Sequence, residues 1–111
     1  MRVGVIGGRS FVDYCLLEDT LQQLEISLLV SGGANGADAL AEKYATKHFI
    51  ETLIFKPDWS IGKSAAALRN LKIVENSDII VAFWDGKSKG TKMTIDMAGH
   101  KGIPVICKIY T

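Results

Sequence analysis

The chain has 111 residues, of which 48% are hydrophobic and 23% are charged, and its formal net charge is +1. These values are typical of a single globular domain and exclude intrinsic disorder of the whole chain, while the small net charge argues against an extended nucleic-acid surface. The longest apolar run, residues 79–84, is far too short to span a membrane, so we expect one cytoplasmic domain over residues 1–111.

Apolar runs alternate with segments of helical periodicity along the whole chain. In chain order the pattern predicts a strand at 3–6, a helix at 11–24, a strand at 26–30, a helix at about 36–47, a strand at 49–55, a helix at 61–75, a strand at 78–84, a helix at 91–101 and a strand at 105–109. Helical spacing places Cys15 on the buried face of the first helix and Leu68 on that of the third.

Strict alternation of strands and helices predicts an α/β fold, in which a five-stranded parallel sheet lies between two layers of helices. Right-handed crossovers and one reversal of winding give the Rossmann-like strand order 3-2-1-4-5. In such sheets, ligands bind beyond the carboxyl ends of the strands, where the winding reverses. We therefore expect a binding site at that edge.

Three glycine-rich segments follow strands 1, 2 and 4 of the predicted sheet. Small residues let a ligand approach the backbone, and the free N–H groups of the helices that follow favour phosphate. We therefore expect a phosphate-bearing ligand at this edge. The candidate ligand-binding residues in these segments are Gly7, Gly8, Arg9, Ser10, Gly32, Gly33, Ala34, Gly36, Asp38, Gly86, Ser88, Gly90 and Thr91.

Several individual side chains have a functional interpretation beside a simpler structural one. Arg9 either grips a phosphate or is a surface arginine. Asp38 either accepts hydrogen bonds from ribose hydroxyls or compensates the dipole of its helix. Trp59 and Trp84 are both candidates for stacking on a base, although Trp84 ends a buried strand and equally suits packing. Asp85 stands where strand 4 opens into the site, a common place for a catalytic or hydroxyl-binding acid.

Familiar cofactor motifs do not fit. Gly-Lys-Ser at 62–64 and at 86–88 resembles the end of a phosphate-binding P-loop, but Pro57 and Val81 stand where that motif needs its first glycine. The two histidines and two cysteines lack metal-ligand spacing. We therefore expect neither a metal nor a cofactor, and an NAD dehydrogenase or a nucleoside triphosphatase is disfavoured.

Six short motifs, spread over nearly the whole chain, resemble those of one superfamily. They are Gly7-Gly8-Arg9-Ser10-Phe11, Ser31-Gly32-Gly33-Ala34-x-Gly36-Ala37-Asp38, Lys56-Pro57-Asp58-Trp59, Gly62-Lys63-Ser64-Ala65, Arg69-Asn70 and Ala82-Phe83-Trp84-Asp85-Gly86-x-Ser88-x-Gly90-Thr91. On these motifs the chain resembles a small YspA/YpsA-like branch of the SLOG superfamily. That superfamily groups the LOG-type phosphoribohydrolases with the DNA-processing recombination mediators of bacterial transformation. The resemblance implies a Rossmann-like fold, a site for a nucleotide or nucleotide-derived ligand, and a bacterial or phage origin.

The chain matches only some of the catalytic residues that the resemblance implies. LOG-type enzymes cleave the N-glycosidic bond of nucleoside monophosphates, using an arginine on the helix before strand 4 and a glutamate in a G-G-x-G-T-x-x-E motif. Arg69 matches that arginine, and the Gly-Thr pair at 90–91 matches the G-T. Thr94 stands at the position of the glutamate, and Asp96, the nearest later acid, lies at a different helical angle.

Three functions remain open, and whether the protein is an enzyme is undecided. The leading hypothesis is a binding module or sensor for a nucleotide-derived small molecule. The alternative is an enzyme that hydrolyses or transfers at the N-glycosidic bond of nucleoside phosphates, with Arg69 holding phosphate and Asp85 or Asp38 stabilising an oxocarbenium-like centre. A single-stranded DNA-binding module is disfavoured, because the lysines at 87, 89 and 92 form only a small cluster. The resemblance also implies a homodimer or a higher homo-oligomer.

Overall fold

A computed structural model describes residues 1–111. Its regular elements are the strand β1 (Arg2–Gly7), the helix α1 (Tyr14–Leu21), β2 (Leu28–Ser31), α2 (Ala37–Lys47), β3 (Glu51–Ile54), α3 (Ala65–Glu75), β4 (Ile79–Trp84), α4 (Lys89–His100) and β5 (Val105–Ile109). One turn of 3-10 helix, Trp59–Ile61, precedes α3. None of these helices combines the length and the apolarity that crossing a bilayer requires.

The five strands form one parallel sheet in the order β3-β2-β1-β4-β5. This confirms the predicted α/β class and the predicted strand order. β1 lies at the centre, where Val3 is the register partner of Leu29 in β2 and of Ile79 in β4. Because all five strands are parallel, the segments that follow β1, β2 and β4 leave the sheet at the same edge, and the reversal of winding between β1 and β4 opens a crevice there.

The hydrophobic core lies in two layers, one on each face of the sheet. The layer beneath α1 and α2 contains Val3, Val5, Phe11, Leu17, Leu21, Leu29, Ala37, Ala41, Tyr44, Ala45, Val81 and Phe83. The layer beneath α3 and α4 contains Ile6, Val30, Ile73, Val74, Ile80, Ala82 and Ala98. Because β1 and β4 are covered on both faces, their sequences are continuous apolar runs after Arg2 rather than alternating ones.

The first helix is shorter than predicted and presents a different face to the core. It begins at Tyr14 rather than at 11, because the side chain of Asp13 accepts a hydrogen bond from the Leu16 N–H (3.0 Å) and caps the helix there. The buried face carries Leu17 and Leu21. Cys15 points the other way and is exposed, so its predicted place on the core face is wrong.

The third helix also begins later than predicted, at Ala65 rather than at 61. Its buried side runs through Ala65, Ile73 and Val74, and the prediction that Leu68 is buried is wrong, since that side chain is 46% exposed. The helical wheel explains the error: at 100° per residue, Leu68 lies about 140° from Ile73. The stripe that faces the sheet therefore includes Arg69 instead.

The segment between α2 and β3 holds an unfavourable residue. Phe49 lies outside β3, contrary to the predicted strand at 49–55, and follows the C-cap of α2 with a φ of 57°. Its ring is 96% exposed, so burial does not offset the left-handed backbone. Glycine is the usual residue at this position of a helix end because it has no Cβ to clash.

We expect Phe49→Gly to raise the free energy of unfolding by about 1 kcal/mol, because the left-handed conformation is then unstrained. His48→Gly is the matched control, since His48 has an ordinary φ of −106° and gains nothing from the change. Thermal unfolding of both variants measures the difference. A Phe49→Gly variant no more stable than the parent would contradict the assignment of strain to this residue.

Candidate functional site

Three loops meet at the carboxyl edge of the sheet. We name them loop 1 (residues 8–13), loop 2 (residues 32–36) and loop 3 (residues 85–88), which follow β1, β2 and β4. Because β1 lies between β2 and β4, loop 1 lies between the other two. The glycine-rich segments singled out in the sequence therefore come together in space.

Backbone hydrogen bonds fix loop 1 to its neighbours. The Gly8 N–H donates to the carbonyl oxygen of Phe83 (3.2 Å), and the Gly8 carbonyl oxygen accepts from the Ala37 N–H (3.2 Å). Ala37 is the first residue of α2, so this N–H is already paired and is not free for a phosphate, contrary to the expectation from sequence. Behind loop 1, the Ser10 and Tyr110 hydroxyls form a hydrogen bond of 3.2 Å, which connects the loop to the end of β5.

A cleft of about 490 Å³ lies among the three loops, and we call it the main cleft. It is lined by Ile6, Gly7, Gly8, Arg9, Ser10, Ala34, Asp38, Ala66, Arg69, Asn70, Ile73, Asp85, Ser88, Gly90, Thr91 and Thr94. These residues come from the end of β1, from all three loops and from the helices α2, α3 and α4. Its volume falls within the range of small-molecule sites, roughly 300–1,000 Å³.

A second cavity of about 420 Å³ adjoins the main cleft, and we call it the side hollow. It is lined by Arg9, Gly32, Gly33, Ala34, Asn35, Lys56, Pro57, Trp59 and Arg69. Arg9, Ala34 and Arg69 line both cavities and so form the boundary between them.

The two arginines at this boundary differ in burial and in hydrogen bonding. Arg69 is half-buried, and its Nη1 donates to the Gly32 carbonyl oxygen (2.7 Å) while its Nε donates to Asn70 Oδ1 (2.7 Å). Burial lowers the pKa of Arg69, and the neighbouring charge of Arg9 lowers it further, whereas Asp38 raises it. Arg9 itself is exposed and makes no side-chain hydrogen bond or salt bridge within the chain. Its guanidinium is therefore available to an anion.

Asp38 is a buried acid beside the main cleft. Its side chain is 7% exposed, and Oδ2 accepts a hydrogen bond from the Ala34 N–H (3.1 Å). Burial raises the pKa of Asp38 from 3.8 to about 6; the Ala34 hydrogen bond and the charge of Arg69 oppose the increase without cancelling it. A carboxyl group with this pKa exchanges its proton close to neutral pH.

Asp85 is an acid of a different kind. Its Oδ1 accepts hydrogen bonds from the backbone N–H groups of Ser88 (2.7 Å) and Lys87 (2.8 Å), which shape loop 3. The same hydrogen bonds lower the pKa of Asp85, so it is ionised at neutral pH. Ser88 in turn caps α4, because its Oγ accepts the Thr91 N–H (3.4 Å). This cap begins α4 at Lys89, two residues earlier than predicted.

The structure separates three predicted residues from both cavities. Gly36 lines neither cavity and packs against the backbone of loop 1. Trp84 donates its indole N–H to the Ser88 carbonyl oxygen (3.0 Å), and together with Gly86 it lines a separate groove along α4. On that groove Lys92 pairs with Asp96 (2.9 Å), so the small lysine cluster is partly neutralised.

Other residues of the site were not among the candidate ligand-binding residues, although Lys56, Pro57 and Asn70 lie in the motifs of the resemblance. They are Ala66, Asn70, Ile73 and Thr94 in the main cleft, and Asn35, Lys56 and Pro57 in the side hollow. Ala66, Arg69, Asn70 and Ile73 share one face of α3 at helical spacing, so aligning the helix on Arg69 instead of Leu68 finds them. Thr94 fills the position of the LOG-type glutamate, and its hydroxyl donates to the Gly90 carbonyl oxygen (3.0 Å).

Comparison with known proteins identifies the family of this site. Residues 1–62 match the YAcAr family, which is described as the YspA, cpYpsA-related SLOG family. The matched segment holds β1, β2, α2 and the whole of loops 1 and 2. The chain belongs to this SLOG family.

A phage protein is similar to this SLOG domain over almost its whole length. The Gene 61 protein of Mycobacterium phage D29 is 36% identical over 117 residues, covering 95% of this chain and 94% of the relative. The similarity fits the bacterial or phage origin that the motifs imply. Membership of the SLOG family indicates a nucleotide-related binding or modifying role.

Proposed function

We propose that this protein binds a phosphate-bearing nucleotide or nucleotide-derived small molecule in the main cleft, as a binding module or sensor. One observation carries the proposal: the guanidinium groups of Arg9 and Arg69 stand together at the wall of a cleft, and that of Arg9 has no partner within the chain. Guanidinium groups bind phosphate through two parallel hydrogen bonds, and such charge-assisted pairs are among the strong ones. Gly90 and Thr91, in the first turn of α4, line the same cleft.

The remaining lining of the main cleft suits a sugar. Asp38, Asn70 and Asp85 present side-chain oxygens that accept hydrogen bonds from hydroxyl groups, and Ser88 can both donate and accept. The negative charges of the two acids also offset the positive charges of the two arginines. This favours a ligand that carries both hydroxyl groups and an anionic group over inorganic phosphate alone. A sugar phosphate has this combination.

Arg9→Ala tests the proposal. We expect the parent protein to gain thermal stability from at least one phosphate-bearing member of a panel of AMP, ADP-ribose, NAD and cyclic nucleotides. The variant should bind that ligand at least about tenfold more weakly in calorimetry, because it loses a charge-assisted pair. Its melting temperature without ligand should be unchanged, since Arg9 contacts no partner.

Arg2→Ala is the matched control. It removes the same charge from the first residue of β1, at the opposite edge of the sheet. Undiminished affinity in Arg9→Ala, or an equal loss in both variants, would count against the site. The absence of a shift with every phosphate-bearing ligand would count against the function.

Hydrolysis of an N-glycosidic bond is a second candidate, and the burial of Asp38 favours it. Water would add to the anomeric carbon of the sugar while the bond to the base breaks, and the base would leave with a proton. A carboxyl with a pKa of about 6 is suited to transfer that proton or to stabilise the positive charge on the sugar. Release of free base from AMP, measured by chromatography and lost in Asp38→Asn, would support this activity; no release would remove it.

A further inference from the structure

A simple sugar phosphate bound in the main cleft would leave the side hollow empty. Yet the two cavities are similar in volume, about 490 and 420 Å³, and meet at Arg9 and Arg69. We infer that the ligand spans both: a nucleoside diphosphate that carries a second sugar, with its base against Trp59, its pyrophosphate between the two arginines and its terminal sugar in the main cleft. This inference rests on the proposed function and specifies its ligand class.

The positive charge is concentrated where the cavities join. Arg9 and Arg69 both line the boundary, and Lys56 adds a third cation on the side of the hollow. No ion pair within the chain neutralises any of the three. A pyrophosphate linkage spreads its negative charge over two phosphoryl groups, so it can contact two neighbouring guanidinium groups and a lysine at once, which a single phosphoryl group does less well.

The side hollow offers a flat aromatic surface. Trp59 is 61% exposed although it is one of the most apolar side chains, and it lies beside Pro57 and the backbone of Gly33. The turn that carries Trp59 is held in place, because Asp58 Oδ1 accepts a hydrogen bond from the Ser60 N–H (3.1 Å). An exposed, positioned indole ring is a surface on which a nucleobase can stack.

The main cleft differs from the side hollow in having no aromatic residue. Its polar side chains away from the boundary are the acids Asp38 and Asp85, the amide of Asn70, and the hydroxyl groups of Ser10, Ser88, Thr91 and Thr94. Acceptor oxygens of this kind bind sugar hydroxyls and repel phosphate. The cleft therefore suits the terminal sugar, and the aromatic side hollow suits the base, which fixes the direction of the ligand.

Three ligands separate the contributions of the two cavities. Ribose 5-phosphate reaches the arginines and the main cleft, AMP reaches the arginines and the side hollow, and ADP-ribose reaches all three regions. We expect ADP-ribose to bind the full chain at least about tenfold more tightly than either fragment in calorimetry, because only ADP-ribose fills both cavities. Because stacking on an aromatic ring tolerates every base, the adenine in these probes is adequate even for another natural base.

Trp59→Ala should weaken the binding of AMP and of ADP-ribose about tenfold relative to that of ribose 5-phosphate, since stacking contributes roughly 1–3 kcal/mol per base. Phe49→Ala is the control, because it removes an exposed aromatic ring at the other end of the sheet. The protein has two tryptophans, so Trp84→Phe leaves Trp59 as the sole reporter. Binding of ADP-ribose should then quench its fluorescence, whereas ribose 5-phosphate should not.

The outcomes distinguish this inference from the function on which it rests. Equal affinities for AMP, ribose 5-phosphate and ADP-ribose, or an unchanged ADP-ribose affinity in Trp59→Ala, would overturn the two-cavity ligand. If Arg9→Ala still weakened binding at least about tenfold, the proposed function would stand. Failure of all three ligands to bind would overturn the two-cavity ligand, and failure of NAD and the cyclic nucleotides as well would overturn both.

Discussion

Gly36→Ala is expected to lower the free energy of unfolding by about 3–5 kcal/mol. Gly36 has φ 76° and ψ −126°, a conformation that residues with a Cβ rarely adopt. A Cβ at this position would also overlap the carbonyl oxygen of Gly8 and lie 2.6 Å from the carbonyl carbon of Arg9. Both obstacles are backbone atoms, which cannot rotate away as a flexible side chain can.

The same substitution should abolish ligand binding in whatever fraction of the variant stays folded. Loop 1 carries Arg9, and the added Cβ pushes this loop away from α2. Gly99→Ala is the control, because Gly99 lies within α4 with no atom within 4 Å of the added Cβ. It should stabilise the helix by about 0.5–1 kcal/mol. Urea denaturation measures both, and a Gly36→Ala variant within about 1 kcal/mol of the parent would show that loop 1 can move aside.

Asp38→Asn is expected to stabilise the protein at pH 8, by roughly 2–3 kcal/mol, and to have little effect near pH 4. The folded state raises the pKa of this carboxyl from 3.8 to about 6, so between these pH values it retains a proton that the unfolded chain has lost. A state that binds more protons becomes less stable as the pH rises. The ionised side chain therefore destabilises the fold, fully above pH 6 and not at all below about pH 4.

Asparagine removes this dependence because it is neutral at every pH. Its amide oxygen can still accept the Ala34 N–H that Asp38 Oδ2 accepts at 3.1 Å. Asp85→Asn is a control of opposite sign, because loop hydrogen bonds lower the pKa of Asp85 and its stabilising effect is present above its unfolded pKa and lost as the pH falls. Denaturation of all three proteins measures both effects, from pH 4 to pH 8 for Asp38 and below pH 4 for Asp85. An Asp38→Asn variant whose advantage did not grow with pH would contradict the raised pKa.

The sheet and the meeting of the three loops could be predicted because both follow from local sequence features, namely apolar runs and short connections. β1 and β4 are buried on both faces and so are continuous apolar runs, and short connections leave few ways to wind parallel strands. The order of strands then brings loops 1, 2 and 3 to one edge without any further information.

Helix ends and helix faces were predicted less well, since they depend on polar contacts. Asp13 and Ser88 each set the first residue of a helix through one capping hydrogen bond, which an apolar pattern does not detect. Leu68 continues an apolar spacing of three residues, but that spacing drifts around a helix of 3.6 residues per turn. The face of α3 that meets the cleft is marked by Arg69, a charged residue.

The division of the site into two cavities could not be predicted from sequence. Gly32 and Gly33 precede the same helix as Ala34, yet the hydrogen bond from Arg69 to the Gly32 carbonyl oxygen puts these glycines in the side hollow, away from the main cleft. That contact joins residues 37 positions apart in the chain. The burial that raises the pKa of Asp38 likewise depends on packing across several elements.

The buried carboxyl of Asp38 has a practical consequence for selection experiments. A library of variants sorted by heat resistance at neutral pH should accumulate uncharged residues at this position. An uncharged side chain avoids the free-energy cost of burying an ionised carboxylate. The selected variants would lack the one deeply buried acid that lines the main cleft. Thermal stability and ligand binding therefore favour different residues at position 38. A selection for thermal stability alone is expected to yield variants that have lost ligand binding.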